Sequence, residues 1–290
     1  MSLTLTYKNE LGTVTMQGGG SSSPLRITVI EGLGLVAREY NVAVYSGYDG
    51  QETLSSRAAA RTITIALEVN SRNAVSEIRS ALHIFSRAGT LYIKNADIDR
   101  RIKCNQVQAP DVTRVLRGEV ATFVVQIVCD SPFFEDRADT TEALYKREKL
   151  LKTTFTLPSM FGYITQGATI KVLSAIPVEP VITLHYPSAL EETESIVIKN
   201  KSTGAAIQLD YAPRDNDTVI IDIKNRKVTS SVNGNIINNL SGDTFLGNFV
   251  LVPGLNVLSV ELIDVTSEFI TSDFTIECKH NNLYNEAVIV

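Results

Sequence analysis

Residues 61–69, RTITIALEV, place Ile63, Ile65, Leu67 and Val69 at every second position, with Thr62, Thr64, Ala66 and Glu68 between them. Successive side chains of a strand point to opposite faces, so this order predicts a strand with one face in a core. The same period predicts a longer strand over 119–130, where Ala121, Phe123, Val125, Ile127 and Cys129 line one face. Val120, Val124 and Val128 make much of its other face apolar, as expected of a central strand. Shorter runs at 3–7, 14–16, 25–30, 90–94 and 100–108 continue the pattern, and the first half of the chain reads as β structure.

Two stretches depart from that period. Over 74–88, Val75, Ile78, Ala81, Leu82 and Phe85 recur at helical spacing, while Glu77, Arg79 and Arg87 lie off that stripe. Asn73 is the expected N-cap, Glu77 suits the positive end of the helix dipole, and Gly89 is expected to close the helix in the left-handed conformation. His83 on this helix has no Ser, Cys or Asp partner that can be placed beside it, so it is read as an ordinary surface histidine. The second departure, 47–60, is too long and polar for a two-residue turn. It reads as a loop, and loops of that length are ordered in compact domains chiefly by contact with something else, often another chain.

Several function classes find no support. Gly18 to Ser23 lacks the Lys-Ser/Thr and helix of a phosphate loop, and Gly32-Leu33-Gly34 lacks the third glycine of a nucleotide fingerprint, which leaves a turn. A net charge of −5 argues against a dedicated nucleic-acid binder. Cys104, Cys129 and Cys278 are an odd number without paired spacing and suit reduced, buried thiols. The first residues do not run from basic to apolar, and no apolar run approaches the roughly 20 residues of a membrane span, so synthesis in the cytoplasm without membrane insertion is expected. Glu191-Glu192 and Asp215 with Asp217 are candidate acid/base or cation pairs, but both fall in turn-like segments without further ligands. With His83, His185 and His280 far apart in sequence, no catalytic residue, metal ligand or cofactor site is expected, and the chain reads as no enzyme.

The strand of 119–130 stops at Asp130-Ser131-Pro132-Phe133-Phe134, since proline cannot donate to a ladder. A first domain is therefore expected over 1–135. Residues 136–155 read as a charged linker with a short helix over 140–151. The domain of 156–290 is an expected antiparallel sandwich with strands near 181–185, 195–199, 206–211, 218–223, 227–231, 244–251, 256–263 and 272–278. A hairpin is expected over 221–228 and a type II Pro-Gly turn over 252–256.

The segments VQIVCDSPFFED, VIIDIKNRKVTSSVNGN and GNFVLVPGLNVLSVEL, in this order and spacing, resemble the distal tail (Dit) proteins of long-tailed bacteriophages and related tail-like particles. The markers are Asp130 to Phe134, Asp222 with Asn233-Gly234, and Pro253-Gly254-Leu255-Asn256, and the resemblance covers nearly the whole chain. It implies a mainly β protein: an N-terminal β-barrel-like domain with one helix that assembles into a hexameric ring, and a galectin-like C-terminal antiparallel β-sandwich. Such a ring joins the tail tube to the tail-tip hub. The implied partners are other copies of the chain in a homohexamer, the tail tube protein, the hub protein and a receptor-binding protein, with DNA only in transit, at the tail tip of the virion. For such a ring, the loop supplies the expected oligomer contacts: Tyr48 as anchor and Asp49, Glu52, Arg57 and Arg61 to set register. The alternative is a carbohydrate-binding module that recognises the host cell surface. The chain has no Trp to lie under a sugar ring, and Tyr163, Tyr186 and Tyr211, which could substitute, read as core or rim residues.

Overall fold

The computed structural model describes residues 3–18, 23–47, 49–71, 73–116, 120–149, 162–187, 195–263 and 274–287. The chain divides into two compact units, 1–137 together with 284–290, and 138–283. The last residues, expected in the second domain, thus belong to the first.

The first unit contains β1 (Thr4–Asn9), β2 (Gly12–Gly18), β3 (Leu25–Glu31), β4 (Arg38–Ala43), β5 (Glu52–Ala58), β6 (Arg61–Asn70), α1 (Ala74–Phe85), β7 (Gly89–Lys94), β8 (Asp99–Cys104), β9 (Gln106–Leu116), β10 (Val120–Cys129) and β11 (Phe134–Asp136). Its main sheet runs β11-β8-β7-β1-β2-β3-β6-β10-β9. Because β8 and β9 are joined by the single residue Asn105, whose N–H donates to the Val128 carbonyl at 3.0 Å, the sheet curls back on itself. Cys104 and Cys129 meet across this closure with sulfurs 3.8 Å apart, both buried and free. The expected central strand is β10, paired with β6 on one side and β9 on the other. Helix α1 buries Ala74, Ile78, Ala81 and Phe85.

Two details of the helix differ from expectation. Asn73 makes no side-chain capping bond, and the helix ends on Ser86 in ordinary right-handed geometry. Gly89 instead begins β7, where a Cβ would lie 2.6 Å from the Lys8 carbonyl and 2.8 Å from the Tyr7 ring. That glycine serves close approach to β1, not a left-handed cap.

A buried guanidinium ties the first unit together. Arg61, only 5% exposed, donates from Nε to the Pro132 carbonyl at 2.7 Å and from Nη1 to the carbonyls of Gly32 and Gly34. Nη2 donates to the Asn285 carbonyl, and the guanidinium stacks 4.5 Å from the centroid of Phe134. Burial pulls its pKa below the ordinary arginine value, opposed by Cys129 and Glu286. Gly32 is required at this turn: its φ is +88° and a Cβ would sit 2.2 Å from the Thr62 carbonyl. The same socket holds the C-terminal segment, since the Ala287 N–H donates to Leu33 at 2.8 Å and Arg100 lies 3.8 Å over the ring of Tyr284.

The second unit contains β12 (Thr140–Lys149), β13 (Gly162–Val172), β14 (Val181–Tyr186), β15 (Ser195–Asn200), β16 (Ala206–Asp210), β17 (Asp217–Asp222), β18 (Lys227–Ser230), β19 (Gly234–Asn235), β20 (Gly254–Ile263) and β21 (Thr275–His280). Its pairings are antiparallel, in the order β16-β15-β20-β13-β12-β21-β14-β17-β18-β19. β13 pairs with β12 up to Gln166 and with β20 from Gly167 onward. Gly167, at φ +149°, is where the strand passes between layers, and a Cβ there would lie 2.4 Å from the Leu258 carbonyl. The two layers enclose one apolar core that includes Tyr145, Ile182, Ile198, Ile221, Phe249 and Phe274.

The stretch expected to hold a linker helix, 140–151, is β12 over its described part. A register shift between Ala143 and Tyr145 turns Leu144 and Tyr145 both inward, which breaks the two-residue period and imitates helical spacing. The expected strand over 244–251 is corrected as well: Leu246–Asn248 is a 3-10 turn, and only Leu251 bridges to Val178. The hairpin over 221–228 is present as β17 and β18. At the Pro-Gly turn Gly254 has φ +100°, and buried Asn256 closes it by accepting from the Val252 N–H and donating to the Val252 carbonyl.

Among the described residues, one carboxylate lies buried inside the second unit. Asp217 accepts from Tyr211 Oη at 2.6 Å, from Ser230 Oγ at 2.8 Å and from Ser231 Oγ at 2.9 Å. Burial pushes its pKa up, but these bonds outweigh that and hold it below the ordinary carboxylate value, while burial and Asp217 raise the Tyr211 phenol.

Arg61→Lys is expected to destabilise the first unit by about 3 kcal/mol, because an ammonium cannot reach four carbonyls in a planar fork. Calorimetry should show the transition of that unit moving down while the other stays. For Asp217, whose folded pKa is depressed, the stabilisation is present above the unfolded pKa of about 3.9 and is lost as pH falls through the lower folded value. Asp217→Ala should cost about 3 kcal/mol at neutral pH and flatten the loss of stability below about pH 4, read by denaturant titration across pH.

Candidate functional site

The stretch of 47–60 is not a loop for most of its length. β4 and β5 pair as a separate two-stranded sheet that hydrogen-bonds to no other strand among the described residues. Asp49-Gly50 lies in the connection, where Gly47 and Gly50 adopt φ of +88° and +97°. These glycines bring the chain round between β4 and β5, and Asp49-Gly50 is a turn signal that the reading of 47–60 as a loop leaves unused. At the base, the Ala59 N–H donates to Ala37 at 2.9 Å.

This arm carries large apolar side chains in the open. Val44 is 73% exposed, Tyr40 61% and Leu54 57%, with Tyr45, Val42 and Leu35 also exposed. Tyr40 and Val42 share a face of β4, opposite Ser56 and Thr53 of β5, so neighbours on that face are small. The polar contacts of the arm are superficial. Arg57 binds Glu39 at 2.7 Å, Tyr45 Oη donates to Glu52 at 3.1 Å, and Arg38 donates to Ser56 at 3.3 Å. Exposed pairs of this kind contribute about 0.5 kcal/mol each, and an isolated two-stranded hairpin is marginal in water. Covering three of the large apolar side chains would contribute about 5 kcal/mol. The arm therefore has the chemistry of a surface completed by another chain.

The residues expected to make oligomer contacts separate into two groups. Asp49, Glu52 and Arg57 lie exposed on the arm, whereas Arg61 is buried in its own unit with its donors engaged. Tyr48 lies outside the described residues. Sequence reasoning missed the apolar members, Tyr40, Val44 and Leu54, because an exposed apolar residue on an isolated hairpin has the same spelling as a core strand.

The candidate chemical pairs do not assemble into a site. Asp217 is held in the interior while Asp215 is exposed, and Glu191 and Glu192 lie outside the described residues. Tyr186 and Tyr211 are buried, as read from the sequence, and the Tyr163 side chain is outside the described set. His185 Nδ1 lies 3.2 Å from Thr218 Oγ1 on the surface of the second unit. Among the described residues no group of three or more His, Cys, Asp or Glu is arranged to hold a metal, and no helix is long and apolar enough to cross a membrane.

Residues 173–277 match the family of siphovirus-type tail components, C-terminal domain. The fold of the chain is similar to that of the crystal structure of phage SPP1 Dit, with a TM-score of 0.64 and 11% identity over 97% of this chain and 99% of that one. A chain of the phage p2 baseplate, in its activated conformation with strontium, aligns over 96% of this chain and 98% of its own at 14% identity and a TM-score of 0.48. No curated protein matches this sequence. The resemblance to distal tail proteins, and the mainly β fold it implied, are borne out.

Proposed function

From a C-terminal domain of the siphovirus-type tail component family, on a chain with the fold of a distal tail protein, we propose that this is a structural protein of a phage baseplate, built as a homohexameric ring between tail tube and tail-tip hub. The observation that carries the ring is the β4–β5 arm. A single chain leaves its apolar side chains in water, and a heterologous contact, in which the arm of each subunit lies on the next, covers every arm once the rotation closes. The outer edges of β4 and β5 also offer unpaired backbone groups, so a neighbouring strand can extend the small sheet. Asp49, Glu52 and Arg57, on the same arm, set the register of that contact in this reading, while Tyr40, Val44 and Leu54 supply its apolar centre. The tail tube protein and the hub protein bind the two faces of the ring, a receptor-binding protein binds its periphery, and DNA passes through its channel. No step of this role needs catalysis.

The full chain is expected to sediment as a species six times its 31.7 kDa mass. Replacing both Tyr40 and Leu54 by Ser should yield a monomer with an unchanged circular dichroism spectrum and an equal or higher thermal midpoint at low concentration. Rings that persist after the arm is reduced to a short turn between residues 37 and 59, or a wild-type chain that stays monomeric at tens of micromolar, would refute the assignment.

A further inference from the structure

The second unit holds an open pocket of about 690 Å³ between the β17–β18 turn and the segment 237–248, lined among others by Arg226, Ile237, Asn238, Ser241, Phe245 and Asn248. We propose that this pocket binds a saccharide carrying an anionic group, with Phe245 under the sugar ring and Arg226 on the anion.

Three observations carry it. The first is charge. The turn 224–227 reads Lys-Asn-Arg-Lys, three cations in four residues of a chain whose net charge is −5. Among the described residues, none of Lys224, Arg226 and Lys227 makes an ion pair, and no carboxylate lines the pocket; Asp243 lies between two lining residues without joining them. Of the three, Arg226 is the one that lines the pocket, and its guanidinium is unpaired among the described residues.

The second is backbone geometry. Arg226 has φ 51°, a left-handed conformation that an arginine adopts only under constraint. The constraint is visible: the Asn225 N–H and side-chain amide donate to Asp222 at 3.0 and 2.7 Å, and the Arg226 N–H donates to Ile223 at 3.2 Å. Glycine would suit this φ better, yet an arginine stands there, with its guanidinium over Gly247, where a Cβ would meet it at 3.6 Å. The facing segment is equally fixed, by Ser241 N–H on Gln208 at 3.1 Å and Asn239 Nδ2 on Asp210 at 2.9 Å.

The third is the match of the lining to a polyol. Phe245 is 67% exposed beside this segment, in a run whose other large apolar residues, Leu246 and Phe249, are buried. The side-chain amides of Asn238 and Asn248 and the hydroxyl of Ser241 have no hydrogen-bond partner among the described residues and supply both donors and acceptors. An aromatic face with convergent amides and hydroxyls is the chemistry that recognises a sugar ring, and the lone guanidinium adds a forked donor set for a phosphate or carboxylate. A long polyanion such as DNA needs a row of cations along a groove, and this is a single cluster on an acidic chain. The site stands on the second unit alone and does not require the ring.

The test uses the full chain with three probes in solution: glucose 1-phosphate, glucose, and a single-stranded oligonucleotide, titrated by protein-observed NMR. Glucose 1-phosphate is expected to shift the Asn238, Asn248 and Gly247 resonances with at least tenfold higher affinity than glucose, and 0.5 M salt should remove most of that difference. Arg226→Gly relieves the backbone constraint, so it should fold with an equal or higher thermal midpoint while losing the preference for the phosphorylated sugar. Phe245→Ala should weaken both sugars tenfold or more, and Lys201→Gln, elsewhere on the unit, should change neither. Absence of shifts at millimolar sugar, shifts unaffected by Arg226→Gly and Phe245→Ala, or tighter binding of the oligonucleotide than of the sugar phosphate would each overturn the proposal.

Discussion

The buried guanidinium of Arg61 is the interaction on which the first unit depends. A charge this far from water is tolerable only when its donors are met, and here carbonyls from 32–34, 132 and 285 meet them. Those segments are remote in sequence but converge because the sheet curls, so the guanidinium reports whether the closure, the Pro132 corner and the C-terminal return are all in place. Arginine is required where a lysine would carry the same charge, since only the planar fork can address several carbonyls at once.

Its position also explains how an exposed hairpin can be useful. The arm leaves the body after Gly34 and returns at Arg61, so the same guanidinium that closes the core binds the outgoing stem through Gly32 and Gly34 and belongs to the incoming one. An arm on loose stems would lose on association whatever its apolar face contributed, because ordering each stem residue costs about 1–2 kcal/mol. Anchored stems leave only the arm itself to be ordered by a partner. In the proposed ring the place of Arg61 is therefore inside, fixing the base of the arm, whereas its position in the sequence next to the arm suggests a contact across the interface.

What the sequence made legible follows from how each element meets water. β6 and β10 have one face in the core, and their alternation could be read directly; the helix α1 was legible for the same reason at its own period. β12 was not, because a bulge puts Leu144 and Tyr145 on the same side and erases the two-residue signal. The arm was hidden differently. Its apolar residues face solvent in the isolated chain, so no burial rule selects them, and the Asp49-Gly50 dipeptide was the one local sign of a hairpin. Gly89 shows that a glycine after a helix is ambiguous in sequence: a left-handed cap and a tight approach to a neighbouring strand both demand it, and only the distance to Lys8 decides. The buried network of Asp217 was illegible because Tyr211, Ser230 and Ser231 are brought to it by strand pairing, not by spacing.

Among the described residues, local rules are broken without a compensating gain in the folded monomer at scattered positions, Leu173, Leu255 and Asn216 among them, and two surfaces each gather more than one such residue. On the first unit, Tyr40, Val44 and Leu54 break the rule that large apolar groups leave water; on the second, Arg226 breaks the rule for φ while Phe245 breaks the one for burial. At Gly167 and Asn256, by contrast, the residue present is the one the backbone requires. Local cost in an otherwise consistent sequence is informative because it must be offset outside the single chain. The two surfaces fit offsets of different kinds: apolar side chains on a hairpin with free edges fit another polypeptide, and an unpaired guanidinium beside an exposed ring fits an anion that also has a face to stack. One chain can thus be organised for assembly through its first unit and for recognition through its second, with neither use constraining the residues of the other.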